Sequence, residues 1–365
     1  LKNENIKRIW FITDTHLGVR NNSNDWIEIV RDYFYNWFFP LVRENYKPGD
    51  VLFHLGDFFD SRQSINLKVL DLGVSIAEEM SKIFKDGVHI IVGNHDIWGK
   101  NSNEINSLKS LKWIPGINIY EEPLSTTLGN RSIFLMPWRK DYEEDSLTLE
   151  QCDPHDILCC HTDIRGLQFN KYVLNEEGSD ISKFSKFGKV FSGHIHYAQI
   201  VGNINMLGSP YQLTRSDADN KKSIWLLDLE TMCEERFIND YSPKYKRFYF
   251  DEILNSSPEQ LESEFKNNFV DIFIDPVMSL RAPLSVITDI LNSQKSLKFH
   301  PYDPNQANSL SQQIIDTDGR QFNVLDFIKE YVNHLSEEQE IKDKLYNSLV
   351  KLHTIVITQE QETKK

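Results

Sequence analysis

Apolar runs alternate along this chain with segments of helical periodicity. "RIWFITD" (8–14), "DVLFHLGD" (50–57) and "VHIIVGNHD" (88–96) are short, nearly unbroken apolar runs, each ending in a polar turn. Runs of this length without alternating polar positions predict strands buried on both faces. Between them, "DWIEIVRDYFYNWFFPLV" and "NLKVLDLGVSIAEEMSKIF" space their apolar residues three and four apart, which predicts helices. The aromatic stripe Trp26, Tyr33, Phe34, Trp37 and Phe38 is expected in the core. Further strands are expected at 132–136, 156–161, 189–192, 200–206 and 223–228. This alternation predicts a layered α/β domain with a largely buried sheet.

The pattern changes near Tyr245. "RFYF", a helix opened by Ser257 and Pro258, "VDIFID", "PLSVITDILNSQ" and "SLKFHP" predict β-α-β-α-β, a small α/β domain over 245–301 behind a main domain over 1–244. Residues 302–321 are polar and nearly free of aromatics, the composition of a linker. A helical tail is expected over 322–365. Val324, Ile328, Tyr331, Val332 and Leu335 make one stripe, Ser336 with Gln339 resembles a capping box, and Ile341, Leu345, Leu349 and Leu352 make a second stripe. No internal repeat is visible.

Composition narrows the class. At 365 residues with 40% hydrophobic and 12% aromatic content the chain is globular, and long enough for more than one domain. No apolar run approaches the ~20 residues of a membrane span. "LKNENIKRIWFITD" enters a strand without a signal-peptide pattern, and Cys152, Cys159, Cys160 and Cys233 show no CxxC spacing, so a reducing cytoplasm is the expected compartment. The net charge of −14 argues against holding nucleic acid by bulk electrostatics. Any such function needs divalent cations, a local basic strip or a partner.

The candidate chemistry lies where the strands end. "TDTHLG" carries Asp14 and His16, "LGDFFD" carries Asp57, "VGNHD" carries Asn94 and His95, "CCHTD" carries His161, and "SGHIH" carries His194 and His196. In open α/β sheets ligands gather outside the carboxyl ends of the strands. Carboxylate and imidazole together suit Mn²⁺, Fe²⁺ or Zn²⁺ better than an all-oxygen magnesium site. Residues i and i+2 of an extended chain point to one side, roughly 6–7 Å apart. His194 and His196 at that spacing suit flanking two ions, and a carboxylate such as Asp57 can bridge a pair about 3.5–4 Å apart. His54 and His89, inside strand runs, are expected in the core; His155, His300, His334 and His353 have no motif around them and are expected at the surface.

The order D-x-H, G-D, G-N-H-D, H, G-H-x-H resembles the calcineurin-like metallophosphoesterase superfamily. Within it, "ITDTHLG", "GNHD" and the segment "MLGSPYQLTRSDADNKKSIWLLDLE" look most like the SbcD/Mre-eleven DNA repair nucleases and their tailed-phage recombination endonuclease relatives. The resemblance implies a metallophosphoesterase β-sandwich flanked by helices, a DNA-capping α/β domain, and a tail that docks an SbcC/Rad-fifty-type coiled-coil ATPase. It implies one ion on Asp14, His16, Asp57 and His196, and another on Asp57, Asn94, His161 and His194. His95 would be catalytic and Asp96 its orienting partner. It further implies two Mn²⁺, with Mg²⁺ as the alternative. The activity implied is endonuclease on single strands and 3′-to-5′ exonuclease on duplex ends. A homodimer through 66–85 and 103–111, in the cytoplasm of a host if the chain is phage-encoded, completes the expectation.

One departure stands out. Many members carry a second catalytic histidine three residues after the motif-two aspartate; here "GDFFD" has Asp60, so that step is expected to be tuned differently or to use another group. "GDFFDSR" is also similar to the "GDxVDRG" of protein phosphatases, but the inserted Ser61 and "GNHD" instead of "GNHE" argue against that branch. Arg20, Arg62, Lys100, Arg139, Lys140, Arg165 and Arg215 lie near the motif loops and are candidates for DNA phosphate contacts. "GNHDIWGKNS" misses the phosphate-loop pattern by one residue too many and by Asn101, so no nucleotide site is expected in this chain. The rival readings are another phosphoesterase of the superfamily (a phosphatase or small-phosphodiester hydrolase) and a scaffold that binds DNA and ATPase with little activity of its own.

Overall fold

The computed structural model describes residues 2–99, 103–139, 142–273 and 298–302, with Tyr346. Lys100, Lys140, the second helix expected in the small domain, and nearly all of the expected linker and tail lie outside the described residues. Of two compact units, Leu1–Pro301 and Tyr302–Lys365, the described residues belong almost wholly to the first.

The strands in chain order are β1 (Lys2–Asn3), β2 (Arg8–Ile12), β3 (Asp50–His54), β4 (Val88–Ile91), β5 (Ile117–Tyr120), β6 (Leu124–Leu128), β7 (Arg131–Met136) and β8 (Ile157–His161). There follow β9 (Lys189–Gly193), β10 (Gln199–Val201), β11 (Ile204–Met206), β12 (Ser223–Asp228), β13 (Glu234–Ile238), β14 (Tyr245–Tyr249), β15 (Phe269–Phe273) and β16 (Lys298–Tyr302). One sheet has the order β13-β12-β2-β3-β4-β5, a second β1-β6-β7-β8-β9-β11-β10, and a small third β14-β15-β16. Central pairs β2–β3, β3–β4, β7–β8 and β8–β9 are parallel, as βαβ crossovers require.

The unbroken apolar runs have a plain physical cause: each central strand is covered on both faces. Ile9 and Phe11 of β2 face Phe191, Leu135 and Cys159 of the other sheet, while Trp10 and Ile12 face the helices. Phe11 stacks on Phe191 with ring centroids 4.3 Å apart, joining the sheets. β8 alternates likewise, with Ile157 and Cys159 between the sheets and Leu158 and Cys160 in the outer core with Leu149, Phe184 and Phe187. The two adjacent cysteines therefore serve opposite faces as buried free thiols.

The helical run after β2 forms Asn24–Asp32, continues through a π-helical segment Tyr33–Phe38, and ends as Phe39–Asn45. It buries Trp26, Tyr33, Phe34 and Phe38, with Trp37 packed at the edge of the same core. Leu67–Ile83, capped by Asn66, buries Val69, Leu72, Ile76 and Met80. The base of β2 is fixed by Asp50, which takes Arg8 through both nitrogens at 2.6 and 2.8 Å and Trp10 Nε1 at 2.9 Å. In the third sheet, β14 and β15 run parallel around the helix Pro258–Phe265, whose Ser257 cap is reciprocated by Gln260. Phe269 of β15 stacks on Trp26 at 5.5 Å.

Two expectations change. Residues 200–206, expected as one strand, form the hairpin β10–β11, because Gly202 at φ 60° lets the chain reverse. β5, β6, β13 and the helix Tyr142–Gln151 were absent from the sequence reading. β6 reads "LSTTL" and is largely unburied, so no apolar run marks it. Among the described residues no helix is long and apolar enough to cross a membrane.

Candidate metal centre

The carboxyl ends of β2, β3 and β4 from one sheet and of β8 and β9 from the other meet at one rim, and the turns beyond them carry the candidate ligands. Those turns are tightly folded. Asp14, His16, Asp57 and His194 hold left-handed backbone at φ 52°, 43°, 55° and 88°. Such conformations persist only where surrounding structure over-determines them, and they collect at functional sites. The glycines of the motifs are matters of space. A Cβ on Gly93 would lie 2.2 Å from Asp57 Oδ1 and 2.3 Å from the Asp57 backbone nitrogen. One on Gly193 would lie 2.2 Å from Thr13 Oγ1.

The side chains converge in two overlapping groups. His16 Nε2 lies 3.0 Å from His196 Nε2, 3.5 Å from Asp57 Oδ2 and 3.9 Å from Asp14 Oδ1, and His196 Nε2 lies 3.8 Å from Asp14 Oδ1. On the other side of Asp57, His161 Nε2 lies 3.4 Å from Asp57 Oδ2 and 2.8 Å from Asn94 Oδ1, and His194 Nδ1 lies 2.9 Å from that same amide oxygen. Asp57 thus stands between the two groups, with His196 in one and His194 in the other. His95 packs edge-on to His16 at 4.8 Å between centroids and belongs to a third grouping with His16 and Asp57.

The hydrogen bonds behind the rings show that these donors fit cations. His161 Nδ1 faces the Leu55 carbonyl at 2.6 Å, His16 Nδ1 the Asp60 carboxylate at 3.0 Å, and His194 Nε2 the Asp163 carboxylate at 3.1 Å. A rear nitrogen that donates its proton to oxygen leaves a lone pair on the front nitrogen, the arrangement of metal-bound histidine. Nitrogens about 3.0 Å apart match two ligands at right angles around an ion with bonds of about 2.1 Å. Asn94 sharpens the point. Its Oδ1 lies against two imidazole nitrogens, while reversing the amide would let its nitrogen donate to His161, His194 and Asp57 and its oxygen accept from Arg62 Nη2 at 2.6 Å. A cation among these atoms satisfies the oxygen-inward orientation.

The electrostatics couple Asp57 to the imidazoles around it. Burial opposes ionisation of Asp57, but His161, His95 and His16 around it hold its carboxyl well below the usual range. Burial likewise opposes charge on His161, yet the Asp57 carboxylate lifts its pKa to about 10. His54 and His89 are buried, and burial lowers their pKa to about 3 and about 4.

Two further sequence candidates, Asp96 and Asp60, lie beside these turns. Asp96 faces the backbone of the Asp57 turn. Its carboxylate accepts from the backbone nitrogens of Asp57 at 2.9 Å, Gly93 at 3.0 Å, Phe59 at 3.2 Å and Phe58 at 3.4 Å, and from Ser107 Oγ at 3.2 Å. It braces the Asp57 turn, and burial and the nearby Asp57 charge push its own pKa to about 6. The His95 ring is held by Asp60, whose backbone carbonyl faces Nδ1 at 2.7 Å. Asp60 therefore orients both His16, through its carboxylate, and His95, through its backbone. Two supports escaped the sequence reading: Asp163, two residues after His161, and the buried Lys222, whose Nζ holds the His196 carbonyl at 2.7 Å.

Among the described candidates for DNA contact, Arg62 lies beside the Asn94 side-chain amide. Arg139 pairs with Glu122 and Glu144, Arg215 with Asp271 at 2.8 Å, Arg20 reaches the Leu213 carbonyl at 3.1 Å, and Arg165 reaches the Gly178 carbonyl at 3.5 Å.

The family model described as calcineurin-like phosphoesterase matches residues 7–198, which hold all the converging ligands. The chain is 27% identical over 250 residues to exonuclease subunit 1 of Enterobacteria phage T4, spanning 67% of this chain and 70% of that one. Among solved structures, a novel archaeal phosphodiesterase aligns with TM-score 0.34 and 13% identity, over 63% of this chain and 99% of that one. A protein of unknown function from Aquifex aeolicus aligns with TM-score 0.26 and 18% identity, over 49% and 93%. By the match across more than half its length, and with the five motifs gathered at one rim, the chain belongs to the calcineurin-like phosphoesterase family.

Proposed function

We propose that this chain is a manganese-dependent DNA phosphodiesterase, the nuclease subunit of a DNA end-processing and recombination complex. It cuts single strands internally and duplex ends in the 3′-to-5′ direction. The observation that carries the reading is the double ring of lone-pair donors around Asp57, backed by the relative named as an exonuclease subunit.

In this reading Asp14, His16, Asp57 and His196 hold one cation, and Asp57, Asn94, His161 and His194 hold the other. Two divalent cations, when bound, supply a nucleophile at neutral pH and neutralise charge on the phosphate. The mix of carboxylate, amide and imidazole favours Mn²⁺ over Mg²⁺. His95, held through Nδ1 by the Asp60 carbonyl, presents its other nitrogen to the substrate and donates a proton to the leaving oxygen as the P–O bond breaks. Asp60, in place of the usual second histidine, acts by holding His16 in its metal-ligating tautomer.

With a net charge of −14, and with Arg139 and Arg215 paired to carboxylates, DNA affinity relies on the cations and on a partner. That partner is the coiled-coil ATPase, docked on the tail 322–365, with 245–301 capping the DNA beside the nuclease domain 1–244. The homodimer forms through 66–85 and 103–111, where Leu67 and Ile105 are exposed. The compartment is the cytoplasm of the cell in which the complex works.

The test is purified protein with Mn²⁺ or EDTA on single-stranded DNA circles, on 3′-labelled duplex and on a phosphorylated peptide. Mn²⁺-dependent cleavage of DNA is expected; dephosphorylation of the peptide alone would end the reading. His95→Ala is expected to abolish cleavage and leave Mn²⁺ binding intact, and full activity in that variant would remove His95 from the chemistry.

A further inference from the structure

The chain at and just beyond His196 is gripped by one turn, residues 217–222, that leads into β12. Lys222 Nζ donates to the His196 carbonyl at 2.7 Å. Asn220 takes both backbone polar groups of Ala198, accepting from its nitrogen at 3.0 Å and donating to its carbonyl at 3.2 Å. Asp217 holds Lys222 Nζ at 2.6 Å, and its other oxygen accepts from the backbone nitrogens of Leu213 and Thr214 at 3.0 and 2.8 Å. The turn is anchored from outside as well: Arg20 reaches the Leu213 carbonyl, and Arg215 pairs with Asp271 of β15. Three side chains thus tie residues 196–198 to a fixed base.

The use of such a grip follows from where His196 stands. The side chains of His16, His161 and His194 are no more than 1% exposed, whereas that of His196 is 16% exposed. β9 ends at Gly193, so His196 lies beyond the last residue of its strand. With less packing around the ring, the place of its backbone decides more of where Nε2 falls. Gly208 permits the close approach from behind, since a Cβ there would lie 2.6 Å from the His196 carbonyl oxygen. As a staple for the fold alone the ion pair would be a poor choice. Asp217 and Lys222 are both 3% exposed, and the cost of burying two charges largely offsets their attraction, so apolar residues of similar volume would hold this turn as well.

We propose that Lys222, Asn220 and Asp217 are positioning residues that serve one of the two cations, the one on Asp14, His16, Asp57 and His196, by fixing the backbone of His196. This assignment rests on the two-cation reading above and deepens it. The half of the centre with His196 depends on this turn, and the half with His194 on Asp163 behind that ring.

The experiment titrates full-length wild type, Lys222→Met, Asn220→Ala and Lys222→Met/Asp217→Asn with Mn²⁺ by calorimetry and by electron paramagnetic resonance, with a melting temperature for each. Lys222→Met keeps the aliphatic stem and removes the ammonium. It is expected to weaken one Mn²⁺ by about 10- to 100-fold, the usual effect of losing the support behind a ligand, and to leave the other unchanged. Asn220→Ala is expected to show the same selectivity with a smaller loss. The doubly substituted protein no longer strands a buried carboxylate, so it should regain the melting temperature lost in Lys222→Met without regaining the ion. The deciding comparison is made in two backgrounds. In His196→Ala, Lys222→Met should cause no further loss, because its route to the ion is gone; in His161→Ala it should cause the full loss. Equal weakening of both ions, a loss undiminished in His196→Ala, or recovery of the ion in the doubly substituted protein would make the turn a structural prop and overturn the proposal. Unchanged Mn²⁺ binding in both Lys222→Met and Asn220→Ala would overturn it too. A wild type that binds two Mn²⁺ with this dependence yet cleaves no DNA would end the nuclease reading and leave the assignment of the turn standing.

Discussion

Gly93→Ala adds one methyl group at the tightest point of the centre. The new Cβ would lie 2.2 Å from Asp57 Oδ1 and 2.3 Å from the Asp57 backbone nitrogen, and Asp57 itself is 1% exposed. Ordinary non-bonded contacts are about 3.5 Å, so Asp57 or the Gly93 turn must retreat by about 1 Å. Nothing flexible is there to give way, since the clash is with backbone and with a carboxylate already fixed by the His95 backbone nitrogen at 2.8 Å. Overpacking of this kind costs about 1–3 kcal/mol in stability. Misplacing a reacting constellation by 1 Å costs about 10²-fold in rate. The expected outcome is a folded protein with a lowered melting temperature, weaker Mn²⁺ binding and a kcat/KM down by about two orders of magnitude on bis(p-nitrophenyl) phosphate. Gly129→Ala is the control, because its Cβ would meet the Ile6 carbonyl oxygen at 2.5 Å, away from the centre. That variant should lose stability and keep the specific activity of its folded fraction. If Gly93→Ala bound Mn²⁺ and turned over like wild type, the claim that Asp57 is held in place by this contact would be wrong.

Other outcomes follow from neighbouring observations. Asp60→Asn and Asp163→Asn, which weaken the acceptors behind His16 and His194, should each lower Mn²⁺ affinity about 10- to 100-fold in a calorimetric titration; unaltered affinity in both would show that these carboxylates do not set the rings. Asp50→Ala strands the Arg8 guanidinium and the Trp10 indole, and should cost about 3–5 kcal/mol in urea unfolding, whereas a loss below about 1 kcal/mol would make the pair dispensable. Burial lowers the His89 pKa from 6.5 to about 4, so below pH 6.5 the unfolded chain takes up this proton and the folded one does not. Its contribution to stability is complete above that pH and is lost as pH falls towards 4. His89→Phe should therefore shrink the drop in unfolding free energy between pH 7 and pH 4.5 by about 2 kcal/mol, and an undiminished drop would count against it.

Much of this was legible from residue order because the chemistry is local. D-x-H, G-D, G-N-H-D and G-H-x-H each combine a strand end, a tight turn and a donor atom within a few residues. Unbroken runs such as "RIWFI" likewise declared strands covered on both faces, since every second side chain had to be apolar on each side. For Asp96 the residue was legible in its motif but its contacts were not. Asp96 sits in the motif beside His95, yet its oxygens serve a turn 39 positions earlier in the chain.

The sequence by itself determined which atoms are available, which elements carry them and the order in which they come. Tertiary structure alone decided that strands of two different sheets end at one rim, and that His16 meets His196 across 180 positions of chain. It also decided that Asp60, Asp163 and the Leu55 carbonyl fix which nitrogen of each ring faces inward. The physical reason is one of range. Periodicity, turn chemistry and capping are settled among near neighbours. Lone pairs are aimed at a common point by contacts between distant segments, which only closure of the whole sandwich brings together.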